Sequence, residues 1–147
     1  MKRYSVVPEQ VEIVPEQLTE GVLYVSHRFS LVVHLCCCGC GGEVVTPLSP
    51  AQWHVQIERD GAVSLSPSVG NWGLACRSHY WIRGNQVAWA GAASDGEIAA
   101  VRRRDRRDLA RYLMQTNRRE GFRGAVAAVV SAIKQAWHRA VARIRRR

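Results

Sequence analysis

Residues 34–42 read His-Leu-Cys-Cys-Cys-Gly-Cys-Gly-Gly, the densest group of potential metal ligands in the chain. It contains four of the five cysteines, and the fifth, Cys76, lies far downstream. A disulfide framework spreads its cysteines along the chain, whereas neighbouring cysteines cannot pair with each other without strain. Clustered thiols beside glycines are typical of a zinc knuckle, in which a tight turn supplies two or three ligands and a second segment closes a tetrahedral shell. The sequence therefore predicts a structural zinc ion inside a small β-rich domain.

The spacing leaves the identity of the ligands open. A C-x-x-C knuckle would use Cys37 and Cys40, whereas a C-x-C step would use Cys36 and Cys38. Downstream, residues 76–79 read Cys-Arg-Ser-His and offer a C-x-x-H step. The shell then consists of four cysteines, or of three cysteines plus the histidine. The alternative without a metal treats the cysteines as small buried apolar residues.

Runs of β-branched and aromatic residues surround the cysteine turn. Residues 22–25 and 31–35 precede it and residues 43–48 follow it, so the cysteines fall on the turn between two predicted strands. Two hairpins come next, around Asp60-Gly61 and around Gly84-Asn85, whose residues favour the positive φ angles of tight turns. They indicate an antiparallel sheet.

Residues 66–72 separate the two hairpins and read Ser-Pro-Ser-Val-Gly-Asn-Trp. Proline, glycine and asparagine at this density predict a loop. Polar residues on a loop between strands are favourable positions for function, so this loop is the first place to look for a site.

The C-terminal third is helical by pattern. The periodicity begins after Gly96, where Ser94 or Asp95 can serve as the N-cap. Gly121 and Gly124 interrupt it, which predicts two helices. The second helix carries an apolar stripe at three- and four-residue steps, made of Val126, Val130, Ile133, Trp137, Val141 and Ile144.

These patterns divide the chain into three parts. Residues 1–19 form an extended N-terminal segment, residues 20–92 a zinc-binding β domain, and residues 97–147 an arginine-rich helical appendage. The predicted fold class is α+β: a small zinc-stabilised antiparallel β domain followed by two C-terminal basic amphipathic helices.

The formal net charge is +9, which raises nucleic acid as a partner. The basic blocks at residues 102–107 and 145–147 could neutralise phosphates. An alternative function is therefore a non-catalytic zinc module that binds nucleic acid or a protein partner through its basic C-terminal helices. Asp105, Asp108 and Glu120 interrupt the charge, and a charge run is most often a solvated helix face.

The chain lacks the sequence features of export or of a membrane span. Prolines and acidic residues follow Lys2 and Arg3, where a signal peptide needs an apolar run. No uninterrupted apolar stretch approaches the length of a membrane span. Because the cysteine layout favours thiols over disulfides, a reducing, cytoplasmic location is expected.

Four segments together resemble a known family: residues 34–42, 48–53, 64–72 and 76–82. They are similar to the BubE-type family, formerly a domain of unknown function, which is encoded in bacterial ubiquitin-like conjugation operons beside E1-like and E2-like proteins. The resemblance covers about residues 20–92.

The resemblance also bears on the metal ligands. In that family the second position of the cysteine run is usually proline, so Cys37 departs from the pattern. The resemblance thus implies Cys36, Cys38, Cys40 and Cys76 as the ligands of a structural Zn²⁺.

The resemblance further implies a serine-type peptidase or deconjugase that processes a ubiquitin-like protein, with the E1-like and E2-like proteins of the same operon as partners. Such an enzyme needs a hydroxyl nucleophile and a base within hydrogen-bond reach. Ser68 and His79 are the candidate pair. Ser66 and Ser78 are alternative nucleophiles, and His34 is the alternative base. In the non-catalytic alternative, the serine hydroxyls simply bond to the local backbone.

Further parts of a catalytic site can be assigned only as candidates. The backbone amides of residues 69–71 could face an oxyanion, and Asn71 or Asp60 could orient the imidazole. No G-x-S-x-G or H-E-x-x-H motif is present. A catalytic zinc ion ranks below the serine mechanism, because shells rich in thiolate are usually structural.

Overall fold

The computed structural model describes residues 1–144, with side chains for residues 1–132 and 134. Within these residues there are eight strands and one helix. The strands form two four-stranded sheets, in the orders β1-β2-β3-β4 and β5-β6-β7-β8. The strands are β1 (Val7–Gln10), β2 (Val22–Ser26), β3 (Leu31–Leu35), β4 (Glu43–Pro47), β5 (His54–Ile57), β6 (Val63–Gly70), β7 (His79–Arg83) and β8 (Gln86–Trp89), and the helix is α1 (Asp95–Ile144).

The predicted antiparallel pairing holds for every strand pair except one. Strand β1 runs parallel to β2, with Val7 opposite Val22, and lies at the edge of its sheet. Pro8 is tolerated there because an edge strand can leave one row of backbone donors unused. The cysteine run connects β3 to β4, as the strand pattern predicts.

The residues before β1 connect the two sheets. Ser5 forms a bridge with Gln86 of β8. On either side of that bridge, the Val87 N–H donates to the Tyr4 carbonyl and the Val6 N–H donates to the Asn85 carbonyl, both at 2.9 Å. The chain therefore pairs first with the second sheet and then, as β1, with the first.

Both sheets contribute to one hydrophobic core. Alternate residues of each strand point inward, because successive side chains in a strand face opposite sides. Leu23 and Val32 of the first sheet and Leu65, Tyr80 and Ile82 of the second are almost completely buried in the same cluster. This core fixes the connections between strands at which the candidate site lies.

The prediction of a loop at residues 66–72 is wrong for most of its length, because β6 continues to Gly70. The strand tolerates Pro67 for a physical reason. Pairing with β5 ends at Ser66, and the register with β7 shifts between Leu65 and Val69, so the ladder does not require an N–H from the proline.

The prediction of two C-terminal helices is also wrong, because α1 passes through Gly121 and Gly124 without a break. A glycine inside a helix costs only about 1 kcal/mol relative to alanine, and no proline follows to stop the helix. The prediction of Ser94 as N-cap is confirmed by a capping box. The Glu97 N–H donates to Ser94 Oγ at 3.3 Å, and the Ser94 N–H donates to Glu97 Oε2 at 2.8 Å.

The chain divides into two compact units, and the second begins at Arg107. Val126 and Val130 of the predicted apolar stripe are exposed. The side chains of Ile133, Trp137, Val141 and Ile144, and all of residues 145–147, lie outside the part that the structure describes. No helix within residues 1–144 combines the length and the apolar character needed to cross a membrane.

Candidate metal centre and active site

The turn between β3 and β4 gathers three thiols. The Cys36 N–H donates to the Gly42 carbonyl at 2.7 Å, and the Cys36 carbonyl accepts from the Gly39 N–H at 3.0 Å. Gly39 has a φ of 80°, a conformation that a residue with a side chain rarely adopts. This tight winding brings Cys36, Cys38 and Cys40 together.

Cys76, in the connection between β6 and β7, completes a group of four thiols. The sulfurs of Cys36, Cys38, Cys40 and Cys76 all lie within 4.8 Å of one another. Three of the separations are 3.4 Å (Cys36 to Cys38), 3.8 Å (Cys36 to Cys76) and 3.6 Å (Cys40 to Cys76). Sulfurs bound to zinc at the usual length in a tetrahedron are about 3.8 Å apart. The four donors therefore fit a tetrahedral metal ion.

Cys37 does not join this group. Its side chain is 1% exposed and packs in the core cluster. Burial is the main reason why the pKa of its thiol rises to about 11. His79 is not in the group either. Of the alternatives left open by the spacing, the geometry assembles the four-cysteine set.

The pKa values of two of these thiols, Cys76 and Cys38, are shifted in opposite directions. Desolvation alone would raise the pKa of the Cys76 thiol, but hydrogen bonds from Ser78, and then from Cys38 and Cys40, lower it to about 7. Desolvation, together with hydrogen bonds to Cys36 and Cys40, raises the pKa of the Cys38 thiol well above its ordinary value. Four thiols this close cannot all ionise alone, because like charges repel. A divalent cation bound to all four sulfurs would remove that conflict.

A buried polar network extends from Cys36 into the core. The Ser78 Oγ lies 3.0 Å from the Cys36 Sγ, and the Asn71 Nδ2 lies 2.9 Å from the Ser78 Oγ and 3.4 Å from the Cys36 Sγ. The Tyr80 hydroxyl lies 3.2 Å from the Asn71 Nδ2 and 2.8 Å from the His34 Nε2. Burial lowers the pKa of His34 to about 4. Ser78 and His34, the alternative nucleophile and base, are thus both engaged in this network.

Ser68 and His79 meet on the second sheet, at the end of β6 and the start of β7. The His79 Nε2 lies 2.9 Å from the Ser68 Oγ. The ladder pairs Gly70 with His79 and Val69 with Tyr80, and the register shift before Val69 is the kind of bulge that re-aims a side chain. Both partners are half-buried. The contact is within the range that proton transfer requires.

Two tryptophans pack against the His79 imidazole. The ring centroids of Trp72 and Trp81 lie 5.0 Å and 5.3 Å from that of His79. The Trp72 indole also covers Gly70, where a Cβ would lie 2.4 Å from the ring. Desolvation lowers the pKa of His79 below its ordinary value. Desolvation therefore favours the neutral imidazole, the form that a general base requires.

The remaining sequence candidates have other contacts. The Asn71 side chain lies in the buried network and makes no direct hydrogen bond to the imidazole, and its backbone N–H is already used, because it donates to the Ser78 carbonyl at 2.8 Å. Asp60 accepts from the Ala62 N–H at 3.0 Å in a hairpin turn. Ser66 is exposed, and its backbone pairs with His54. Of the three candidate serines, Ser68 is the one whose hydroxyl lies within hydrogen-bond distance of the His79 imidazole.

Sequence reasoning missed Trp72, Trp81 and Asn71 in these roles. The sequence assigned neither tryptophan to a site, and only Trp72, directly after the polar segment, carried a signal by position. Asn71 was one of two candidates, with Asp60, to orient the imidazole. A residue at the end of a strand can point to either face, and the sequence does not reveal which.

Comparison with known proteins supplies the family. Residues 10–90, more than half of the chain, match the model of the family described as "Bacterial ubiquitination-like system serine protease (BubE)". No curated protein and no solved structure matches the chain. The matched residues include the four clustered cysteines, Ser68 and His79. The chain therefore belongs to the BubE family of serine proteases of bacterial ubiquitination-like systems.

Proposed function

We propose that the chain is a serine-type deconjugating peptidase that cleaves after the C-terminal tail of a bacterial ubiquitin-like protein, with Ser68 as nucleophile and His79 as base. The single observation that carries the proposal is the 2.9 Å contact between the His79 Nε2 and the Ser68 Oγ. The family membership supplies the reaction class.

The pair can perform acyl transfer in two steps. In the first, the His79 Nε2 takes the proton of the Ser68 hydroxyl while the Oγ attacks the carbonyl carbon of the scissile bond. The carbon–nitrogen bond then breaks, and the imidazolium returns the proton to the leaving amine. In the second step, the imidazole takes a proton from water, the resulting hydroxide attacks the ester carbonyl, and the Ser68 Oγ leaves with the proton. The packing of Trp72 and Trp81 limits the access of other water to the imidazole.

The proposed metal is a structural Zn²⁺ bound by Cys36, Cys38, Cys40 and Cys76. Four thiolates fill a tetrahedral shell and leave no position for substrate or water, so the ion would supply cohesion and no chemistry. It would join the β3–β4 connection of the first sheet to the β6–β7 connection of the second.

The strand edge beside Ser68 supports an extended substrate. Strand β5 pairs with β6 only as far as Ser66, and within residues 1–144 no strand accompanies residues 67–70 on that side. A peptide tail can add to such an edge through backbone hydrogen bonds. The tail of a ubiquitin-like protein would then pass directly along the nucleophile.

The test uses the ubiquitin-like protein of the same operon with a tag fused after its tail. Ser68→Ala and His79→Ala are each expected to lower kcat by about 10³-fold or more, and the double variant should be little worse than either, because the two residues act as a unit. Ser66→Ala is the matched control, since Ser66 is an exposed serine on the same strand, and it should cleave normally.

Metal content must be measured on every variant. Cleavage retained by Ser68→Ala would refute the assignment of the nucleophile. Loss of metal from His79→Ala would mean that the histidine acts on the metal centre instead of on Ser68.

A further inference from the structure

Asn71 contacts Cys36 of the thiol group through its side chain, and it precedes Trp72, which packs against His79 of the Ser68–His79 pair. We propose that it is a positioning residue that couples them, so that the state of the metal centre sets the position of the His79 imidazole. The inference rests on the proposed function for the role of the Ser68–His79 pair, and on the geometry of residues 70–79 for the coupling.

The backbone of Asn71 is fixed on both sides. It directly follows β6, its N–H donates to the Ser78 carbonyl at 2.8 Å, and its carbonyl accepts from the Leu74 N–H at 3.1 Å. The residue is 8% exposed. Asn71 and Ser78 therefore close the connection between β6 and β7 at its base.

The Asn71 amide nitrogen lies within hydrogen-bond distance of the Cys36 sulfur, at 3.4 Å. This nitrogen lies near three acceptors, Ser78 Oγ, Tyr80 OH and Cys36 Sγ, but it carries only two N–H groups. The Ser78 hydroxyl is itself 3.0 Å from the Cys36 sulfur. Asn71 and Ser78 thus surround a buried sulfur with donors, which stabilise a thiolate and orient it toward a metal.

The chain neighbours of Asn71 and Ser78 belong to the His79 site. Gly70 and Trp72 flank Asn71, and the Trp72 indole covers Gly70 and contacts the imidazole. Ser78 immediately precedes His79. Successive residues of an extended chain face opposite sides and are about 3.3 Å apart, so Ser78 can contact Cys36 while His79 contacts Ser68. A shift of the Cys36 sulfur would therefore act on Asn71 and Ser78. Asn71 is one peptide unit from Trp72, which packs on the imidazole, and Ser78 is one peptide unit from His79 itself.

The experiment uses the full chain in three variants. Asn71→Ala removes the amide, Asn71→Asp keeps its shape but replaces the donors with an oxygen, and Ser78→Ala removes the second donor. Ser64→Ala is the control, because Ser64 accepts a hydrogen bond from the Gly84 N–H at the other end of β6. Two quantities are measured: Zn²⁺ affinity by competition with a chelator, and the ¹⁵N shifts of the His79 ring with and without saturating Zn²⁺.

In the unaltered chain, Zn²⁺ should move the ¹⁵N chemical shift of the His79 Nε2 to the value of a nitrogen hydrogen-bonded to Ser68. Ser68→Ala should abolish this change in shift. Asn71→Ala and Asn71→Asp should lower Zn²⁺ affinity by about 10- to 100-fold. Even at saturating Zn²⁺, the His79 Nε2 shift of these variants should differ from that of the unaltered chain. Their kcat should fall while KM stays unchanged. Ser64→Ala should change none of these.

Weaker Zn²⁺ binding with an unchanged His79 resonance at saturation would overturn the coupling, and unchanged affinity would overturn the link to Cys36. If Asn71→Ala does not fold, Ser78→Ala decides by the same two measurements. A chain that cleaves no substrate but shows the Zn²⁺-dependent shift would refute the proposed function and retain the coupling.

Discussion

Cys37 lies between two metal-binding candidates in sequence and yet faces the core. Its burial and its raised thiol pKa describe an apolar packing residue. Cys36 and Cys38, on either side, lie 3.4 Å apart at their sulfurs. Adjacent residues in this turn therefore have opposite roles, which a substitution at each can separate.

We expect Cys37→Ala and Cys38→Ala to have different consequences. Cys37→Ala should keep about one zinc per chain and lose roughly 1 kcal/mol of unfolding free energy, because a small buried group is removed. Cys38→Ala should lose tight zinc binding, because a ligand is missing. Zinc quantification after dialysis and denaturant unfolding check both. Equal loss of zinc from the two variants would favour a shell that includes Cys37.

The pH dependence of kcat/KM should report the buried state of His79. Desolvation lowers the pKa of His79, so the neutral form that acts as base persists below the ordinary histidine pKa of about 6.5. As pH falls, activity should therefore begin to drop only below that value. Trp72→Ala should expose the ring and move the drop to higher pH. A drop centred above 6.5 in the unaltered chain would contradict this expectation.

The sequence, together with the family resemblance, named Ser68, His79 and the cysteines as candidates, because few residue types can act as nucleophile, base or thiolate ligand. It could not reveal that Asn71 faces Cys36. That contact joins residues 35 positions apart and depends on which face a strand end presents. The same limit applies to Trp72, whose contact with His79 needs the empty space above Gly70.

At the level of elements, the connection from β6 to β7 contains one close contact, between the Trp72 side chain and Gly70. A Cβ at Gly70 would lie 2.4 Å from the Trp72 indole and clash with it, whereas a Cβ at Gly73 would meet nothing within 4 Å. Neither glycine has a positive φ, so packing alone distinguishes them. The two positions form a matched pair for testing what the tryptophan contributes.

Gly70→Ala should displace Trp72 from His79 and lower kcat by about tenfold or more, because misplacement of a catalytic group by a fraction of an ångström is costly. Gly73→Ala should leave kcat unchanged. Both variants should keep their zinc and their far-ultraviolet circular dichroism. Equal activity of the two would show that the indole does not position the imidazole.

The strand runs and hairpin turns could be predicted, because alternation and turn residues are local signals. Strand β6 and helix α1 could not be bounded correctly. Pro67 stopped the predicted strand, but the ladder has a bulge there and does not need its N–H. Gly121 and Gly124 stopped the predicted helix, but their combined cost of about 2 kcal/mol does not break a long helical segment.

At the scale of the whole molecule, three links between the two sheets stand beside the His34–Tyr80 hydrogen bond. The shared core is one, residues 4–6 beside β8 are the second, and the thiol group is the third. The first two are complete within the described residues. The third depends on the proposed metal ion. Removal of the ion should therefore weaken the packing of the two sheets against each other without abolishing strand pairing within each sheet.

Removal of the metal by a strong chelator is expected to lower the Tm by more than about 10 °C. An ion bound only by the folded chain stabilises it by mass action, and structural zinc sites bind with many kcal/mol. Thermal unfolding with and without chelator measures the change, and stoichiometric Zn²⁺ should restore the original Tm. A metal-free chain with an unchanged, cooperative transition would show that the thiol group holds no structural ion.

The fourth thiol of the group is synthesised well after the other three. Cys40 and Cys76 are 36 positions apart. At about 5–20 residues per second, a ribosome needs roughly 2–7 seconds to add that segment. During this interval the nascent chain exposes an open three-thiol site, vulnerable to oxidants and foreign metals. Oxidative stress should therefore damage newly made molecules, whereas completed ones would be protected once the proposed metal ion closes the shell.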